Sequence, residues 1–166
     1  MPELKGNICS LRKVTHSDRD IITRWENNPE FWPVTETPGP FTTDDIKAFI
    51  ESCRDLQKDG QERWMILSDS GRILGCLDLF EYNSSAQKAG IGILIAEKSD
   101  RNQGIATDAL ITVIRHLRDQ KLLKVLSCLI FPENTPSIRL FRGVGFEAVS
   151  EVEFKGRKTI SFELRL

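Results

Sequence analysis

The stretch DRNQGIATDAL, residues 100–110, is a short polar turn with one glycine. The run before it, residues 91–96, is apolar and typical of a strand. The run after it predicts an amphipathic helix, because one face carries apolar side chains at Ala106, Leu110, Val113, Ile114 and Leu117. The turn therefore places the first amides of a helix directly after a strand.

Such a turn is suited to bind an anion. A helix N-terminus has about four unpaired amides and about half a positive charge, and a glycine lets a ligand approach the backbone. Residues 101–107 add the cation Arg101 and the hydroxyl of Thr107. A phosphate-binding P-loop and a dinucleotide fingerprint are excluded, because their glycines and lysine are missing. The alternative is that Gly104 only turns the chain into the helix.

The segments on either side predict an α/β protein with the order β-α-α-β-β-β-α-β-α-β-β. The strands are expected at residues 7–14, in a hairpin over 62–83 with its turn at 69–71, at 89–96 and 122–130, and in a final hairpin turning at Lys155 and Gly156. The helices are expected at residues 18–27, capped by Ser17 or Asp18, from Thr42 or Thr43 to about residue 58, after Gly104, and from Asn134 to Gly143 or Gly145. The proline-rich residues 28–41 predict a loop.

Length and composition favour one domain over residues 1–166. The net charge of −1 argues against nonspecific nucleic-acid binding, and the absence of an apolar run approaching 18 residues argues against a membrane span. The four cysteines are scattered without a CxxC pair, and there are only two histidines, which argues against a metal site and a disulfide scaffold. With no signal-peptide pattern in MPELKGNICS, we expect a cytoplasmic protein with reduced thiols.

Charge is distributed unevenly along the chain. Residues 14–62 carry 11 acidic and 5 basic side chains, whereas residues 63–166 carry 12 acidic and 15 basic ones. One interpretation is solvated helix faces. The other is two ligands of opposite sign, a cation for the first part and an anion for the second.

Two motifs resemble those of the GNAT superfamily of N-acetyltransferases. RNQGIA fits the R/Q-x-x-G-x-G/A signature, and NTPSIRLFRGVGF is similar to the second signature, N-x-x-S/A followed by a helix ending in GF. The resemblance implies the GNAT fold over the whole chain, a mixed central sheet of about seven strands flanked by helices. ITRWENNPEFW and GRILGCLDLF look most like the branch of spermidine and diamine acetyltransferases, to which the ribosomal-protein N-terminal acetyltransferases are related.

The resemblance implies acetyl-CoA as the acetyl donor. The pyrophosphate would lie on the turn, at Arg101, Asn102, Gln103, Gly104, Ile105, Ala106 and Thr107. The pantetheine arm would lie along Ile93, Leu94 and Ile95, with Asn134, Ser137 and Phe141 on its other side. The thioester carbonyl would meet a backbone amide near Leu94 or Ile95, which stabilises the oxyanion.

Two positions depart from the family pattern. Phe141 stands where many members carry a tyrosine, and Gly90 stands where some polyamine-acetylating members carry a glutamate. We therefore expect a proton relay through water to Asp78 or Glu81, with Ser137 donating to the leaving thiolate. The alternatives are solvated hairpin carboxylates and a serine hydroxyl bonded within its helix turn.

The acceptor is expected to be a cation. Glu26, Glu30 and Asp78 are its candidate ligands, and Trp25, Phe31 and Trp32 are either cavity walls or core residues. The predicted activity is acetyl-CoA-dependent acetylation of a polyamine, a diamine or a protein N-terminal amine. The alternative is a non-catalytic CoA-binding sensor or scaffold. Relatives often dimerise, so a homodimer is also considered, although no segment shows an interface pattern.

Overall fold

The computed structural model describes residues 3–31 and 39–166, which build a sheet with helices on both faces. The strands are β1 Leu4–Lys5, β2 Ser10–Lys13, β3 Arg54–Asp55, β4 Gln61–Leu67, β5 Ile73–Asn83, β6 Lys88–Ile95, β7 Val125–Ile130, β8 Glu147–Phe154 and β9 Arg157–Arg165. The helices are α1 Arg19–Glu26, α2 Thr43–Glu51, α3 Leu56–Asp59, α4 Ile105–Gln120 and α5 Thr135–Gly143, with 3₁₀ turns at His16–Asp18, Pro29–Phe31 and Lys98–Asp100. Within these ranges no helix is long and apolar enough to cross a bilayer.

The sheet has the strand order β1-β2-β4-β5-β6-β7-β9-β8, with β3 paired to β4. All pairs are antiparallel except β6 and β7, which are parallel. Parallel neighbours need a crossover connection, and α4 supplies it. The turn that opens α4 therefore lies at the C-terminal end of β6, between the antiparallel and the parallel part of the sheet.

Each face of the sheet has its own apolar core. On one face, α4 and α5 cover a core that includes Trp64, Leu77, Leu110 and Phe146. On the other face, α1 and α2 cover a smaller core of nine buried residues: Val14, Ile22, Trp25, Phe31, Ile46, Ile50, Cys53, Met65 and Cys76. Alternate residues of a strand thus pack into opposite cores, because successive side chains of a strand point to opposite faces of the sheet.

The predicted element order is confirmed, but the sheet is larger than the expected seven or so strands. The described residues contain nine, and the two additional ones, β1 and β3, have two residues each. The helix capped by Thr42 is present, but its predicted end at about residue 58 is wrong, because α2 ends at Glu51 and the separate short helix α3 follows. The Cys53 carbonyl there accepts a hydrogen bond from the Arg63 amide at 2.9 Å, which draws the chain onto β4.

β6 and β7 separate along their length. Their pairing covers Lys88 with Val125, Ala89 with Leu126 and Gly90 with Ser127, and it ends there. The other edge of β6 stays paired with β5 as far as Ile95. The edge of β6 beyond Gly90 is therefore unpaired by β7.

Candidate active site

The turn before α4 has an open backbone. Gly104 caps the helix with a left-handed φ of 81°, and Ile8 Cδ1, at 3.6 Å, is the atom a Cβ there would meet. The first hydrogen bond of the helix runs from the Asp108 amide to the Gly104 carbonyl at 3.0 Å. Amides earlier in the turn have no acceptor within the helix, so they can bind an anion.

The side chains of the turn brace its backbone. Arg101 donates from Nε to the Ile95 carbonyl at 3.0 Å and from Nη2 to the Ala96 carbonyl at 3.1 Å. Gln103 donates to the Ser99 carbonyl at 3.1 Å. Asp100 accepts two hydrogen bonds from Arg72, which hold the pKa of its carboxyl below the usual range. Arg101, predicted as a phosphate ligand, thus ties the turn to the end of β6.

A second segment, residues 6–9, lies against the start of α4. The Asp108 carboxylate accepts hydrogen bonds from the amides of Asn7, Ile8 and Cys9 at 2.9, 2.9 and 3.0 Å. This contact places Ile8, which is 44% exposed, beside Gly104. Sequence reasoning missed Ile8 and Asp108, because about 100 residues separate them and no local pattern links them.

The register of β6 distinguishes Leu94 from Ile95. The Ala96 amide donates to the Leu74 carbonyl on the β5 side, whereas the Ile95 carbonyl is bound by Arg101. The amide and carbonyl of one strand residue point to the same edge, and consecutive residues alternate. We infer that the Leu94 amide faces β5 and that the amides of Ile93 and Ile95 face the edge that β7 leaves open.

Gly75 holds Leu94 in this register. A Cβ at Gly75 would overlap the Leu94 carbonyl oxygen and lie 2.9 Å from its carbonyl carbon. Only glycine therefore permits so close an approach of the two backbones. Sequence reasoning did not single out Gly75, although a glycine inside a strand pattern was the available signal.

A cavity of about 820 Å³ opens on the face covered by α1 and α2. It extends to the part of β6 that β7 leaves, including Gly92, Ile93 and Leu94. Among the described residues its lining includes four acidic residues and one guanidinium, from Glu26, Asp45, Asp78, Glu81 and Arg63. Glu62 also lies at the lining, but its carboxylate is bound to Lys13 and to the Trp64 indole. A cavity of this charge attracts cations.

Arg63 organises two of these carboxylates. It is 5% exposed, donates to both Asp78 oxygens at 2.7 Å, lies 3.4 Å from Glu26, and stacks 4.7 Å from the centroid of Phe49. Burial disfavours its charge, but Asp78 and Glu26 raise the pKa of Arg63 well above its ordinary value. The three groups together carry one negative charge, so the predicted ligands Glu26 and Asp78 do lie together.

The other predicted site residues, the proton-relay candidate Glu81 and the acceptor candidates, lie in different places. Glu81 is exposed, lines the cavity and lies in a bulge with a left-handed φ of 51°. Glu30 lies exposed on a 3₁₀ turn outside the lining. Trp25 belongs to both the cavity wall and the core, whereas Phe31 packs in the core. Trp32 falls within residues 32–38, outside the described part of the chain.

The second motif forms α5. Asn134 caps this helix, its Oδ1 accepting a hydrogen bond from the Ser137 amide at 3.4 Å, and Ser137 is half-buried. Phe141 is 4% exposed, and its ring meets Phe146 edge-on at 5.1 Å. Phe141 therefore packs in the core, where its ring stabilises α5 against the sheet.

Neither thiols nor metal ligands add a reactive centre in the part of the chain that is described. All four cysteines are free and buried, and burial raises the pKa of Cys128 to about 12, which disfavours a reactive thiolate. No group of three or more His, Cys, Asp and Glu residues is placed to hold a metal ion there.

The chain was compared with known proteins. The family model described as the acetyltransferase (GNAT) domain matches residues 9–147. An uncharacterized N-acetyltransferase p20 of Bacillus licheniformis is 24% identical over 150 residues, which are 89% of this chain and 83% of that protein.

Two solved structures share the fold. Spermidine N-acetyltransferase from Vibrio cholerae, in complex with CoA and spermine, has a TM-score of 0.81 at 18% identity and covers 95% of each chain. The ribosomal L7/L12 alpha-N-protein acetyltransferase RimL, in complex with coenzyme A, has a TM-score of 0.84 at 14% identity, covering 99% of this chain and 98% of its own.

Proposed function

Since the chain belongs to the acetyltransferase (GNAT) domain family, we propose that it transfers an acetyl group from acetyl-CoA to a primary amine by direct attack in a ternary complex. One observation carries the proposal. The edge of β6 that β7 leaves at Gly90 and Ser127 connects the amide-rich turn before α4 with an acidic cavity. A donor with a phosphate end and an acceptor with a cationic end can therefore meet there.

The described residues fit acetyl-CoA. Its pyrophosphate would lie on the backbone of residues 102–107, where Gly104 has no side chain and Ile8 Cδ1 lies 3.6 Å from the position of a Cβ. Its pantetheine amides would pair with Ile93 and Ile95 on the open edge of β6, alongside Asn134 and Ser137. Acetyl-CoA supplies the thioester whose carbonyl is attacked.

The residues of this chain then have distinct roles. The Ile95 amide, in place of the Leu94 amide, stabilises the negative charge that develops on the thioester oxygen. Ser137 donates a hydrogen bond to the departing thiolate. A thiolate is a tolerable leaving group, so the reaction can proceed without the tyrosine that Phe141 replaces.

The acceptor must lose a proton before it attacks. An alkyl amine with a pKa near 10.4 is neutral in about one molecule in a thousand or fewer at pH 7. Both Asp78 oxygens accept hydrogen bonds from Arg63, so Glu81, which also lines the cavity, takes this proton through water. General-base assistance of this kind contributes about 10²- to 10⁴-fold to the rate.

The acidic lining favours an acceptor that carries more than one positive charge. A polyamine or diamine is therefore the first candidate, and the likeness to a spermidine acetyltransferase supports it. A protein N-terminal amine is the second, supported by the likeness to RimL. A non-catalytic CoA-binding sensor or scaffold is the alternative from another class.

Release of free thiol from acetyl-CoA tests the proposal. The purified protein is assayed with spermidine, spermine, 1,4-diaminobutane, and short peptides beginning with Ser, Ala or Thr. Acceptor-dependent release with the polyamines supports the first candidate, and release with peptides alone supports the second. Thermal stabilisation by CoA without release by any acceptor favours the sensor. The absence of both contradicts the proposal.

A further inference from the structure

We propose that Phe80 is a specificity-determining residue, the aromatic wall of an ammonium subsite that it forms with Asp78 and Glu81. The inference rests on the proposed function, because it concerns the amine acceptor of the same cavity. It adds a residue that belongs to neither family motif and that carries no charge.

Phe80 lies on a bed of two glycines. Phe80 and Gly90 are partners across β5 and β6. A Cβ at Gly90 would overlap the Phe80 ring, with Cδ2 and Cζ at 2.8 Å, and a Cβ at Gly92 would lie 3.7 Å from Cε1. The ring therefore extends from Gly90 towards Gly92 over the backbone of β6. It occupies the space through which a side chain at position 90 would enter the cavity.

The surroundings of the ring suit a cation. Phe80 is half-buried and lines the cavity, as do Asp78, whose two oxygens are bound by Arg63, and Glu81, which is exposed. In a regular strand Phe80 and Glu81 would point to opposite faces, but the bulge at Glu81 lets both reach the cavity. The Tyr82 amide donates to the Gly60 carbonyl at 3.0 Å and fixes the bulge.

An ammonium in this subsite lies against the face of the Phe80 ring. Asp78 and Glu81, which precede and follow Phe80 in the sequence, supply the carboxylates of the subsite. The quadrupole of the ring attracts the cation, and the attraction strengthens as water is excluded. The same ring limits the width of the cavity at the strand where the thioester lies. The subsite therefore selects slender alkyl ammonium ions over bulky ones.

Calorimetric binding of 1,4-diaminobutane and of spermidine to the protein saturated with CoA tests the subsite. Phe80→Leu keeps most of the apolar volume but loses the ring, so we expect affinity for both amines to fall by about 3- to 30-fold. Phe80→Tyr keeps the ring and should retain the affinity. CoA binding should be unchanged in both variants. Tyr82→Leu, the same kind of loss two residues along β5 and outside the cavity lining, is the matched control.

The glycine bed has its own test in thermal unfolding. Gly90→Ala should lower Tm, whereas Gly92→Ala, whose Cβ would make only an ordinary contact, should lower it less. In a Phe80→Ala background, Gly90→Ala should cost much less, because the overlapping ring is gone. Additive effects in this double-mutant cycle would show that the ring does not lie on Gly90.

Each binding outcome decides one proposal. Unchanged amine affinity in Phe80→Leu, or an equal loss of CoA affinity, overturns the subsite alone. If the wild-type protein binds CoA but neither amine, the subsite is also overturned, whereas the proposed donor site is supported. A wild-type protein that does not bind CoA overturns the proposed function itself.

Discussion

Gly104 and Gly71 share a left-handed backbone, with φ values of 81° and 85°, in very different places. Gly104 precedes α4, whereas Gly71 lies in the turn between β4 and β5. A Glu at either position carries the same strain, about 1–2 kcal/mol. We expect both variants to lose similar stability, but only Gly104→Glu to lose thermal stabilisation by CoA, because its carboxylate repels the pyrophosphate.

Thermal shift with and without CoA measures both effects in one experiment. Equal stabilisation of Gly104→Glu and Gly71→Glu by CoA would remove the turn from the donor site. A loss in both variants would point to a general defect in folding.

Gly75→Ala should distort the part of β6 that carries the proposed oxyanion contact. The added methyl would overlap the Leu94 carbonyl, so β5 and β6 must move apart where the Ile95 amide faces the donor. We expect a loss of stability of about 1–3 kcal/mol and a fall in kcat that exceeds the change in the KM for acetyl-CoA. Urea unfolding and steady-state kinetics provide the two measurements. Unchanged kcat in a destabilised variant would separate Gly75 from the oxyanion contact.

Single residues that belong to local sequence patterns could be predicted from the sequence. The turn around Gly104 and the cap Asn134 could be predicted because each precedes its own helix. The partners of Arg63 and Phe80 could not, because Asp78 and Gly90 lie on neighbouring strands whose register no local pattern sets. The choice between the Leu94 and Ile95 amides likewise depends on the register of β6 against β5.

α5 depends on its cap. Asn134 is the N-cap, and its side chain accepts the Ser137 amide. We expect Asn134→Ala to lower the free energy of unfolding by about 1 kcal/mol, and Asn134→Asp to retain most of it, because aspartate also caps helices. Urea unfolding measures the difference. An Ala variant as stable as the wild type would show that packing alone holds α5.

Helices and strands with a clear period of apolar residues could be predicted from the sequence, whereas very short ones could not. The β4–β5 hairpin and α4 have long apolar patterns and turn residues at their ends. β3 and α3 span only two and four residues, and side-chain hydrogen bonds of Asp55 and Asp59 to nearby amides form this segment. Such bonds compete with helix continuation without leaving a periodic signal.

The molecule should lose stability in mild acid through His116. The imidazole lies edge-on to Trp64, and burial lowers its pKa, with Lys13 adding to this and Glu62 and Asp119 opposing it. The unfolded chain, with a His pKa near 6.5, then takes up a proton before the folded one does. The free energy of unfolding should therefore fall as pH drops from about 6.5 towards the pKa of the folded state.

Urea unfolding at pH 7.5 and 5.5 measures this fall, and His116→Gln should reduce it. The lowered carboxyl pKa values of Asp18 and Asp108 act at lower pH, outside this window. A pH dependence identical in His116→Gln and wild type would assign the effect to other groups.

Charge also acts at the scale of the whole fold. The acidic residues 14–62 do contribute Glu26 and Asp45 to the cavity, yet Asp78 and Glu81 come from the part of the chain with net positive charge. The division of charge along the sequence therefore identified only part of the acidic lining of this cavity. Folding brings charges together across the sheet, whereas a running count along the chain cannot.

The contact of Asp108 with residues 7–9 has a consequence for how the protein is made. Those three amides leave the ribosome about a hundred residues before the carboxylate that binds them. The N-terminal segment therefore lacks this hydrogen-bond acceptor until about two thirds of the protein has been translated. The contact between residues 7–9 and α4 thus forms only once α4 has emerged, so the nascent chain would complete the proposed CoA-binding surface late in synthesis.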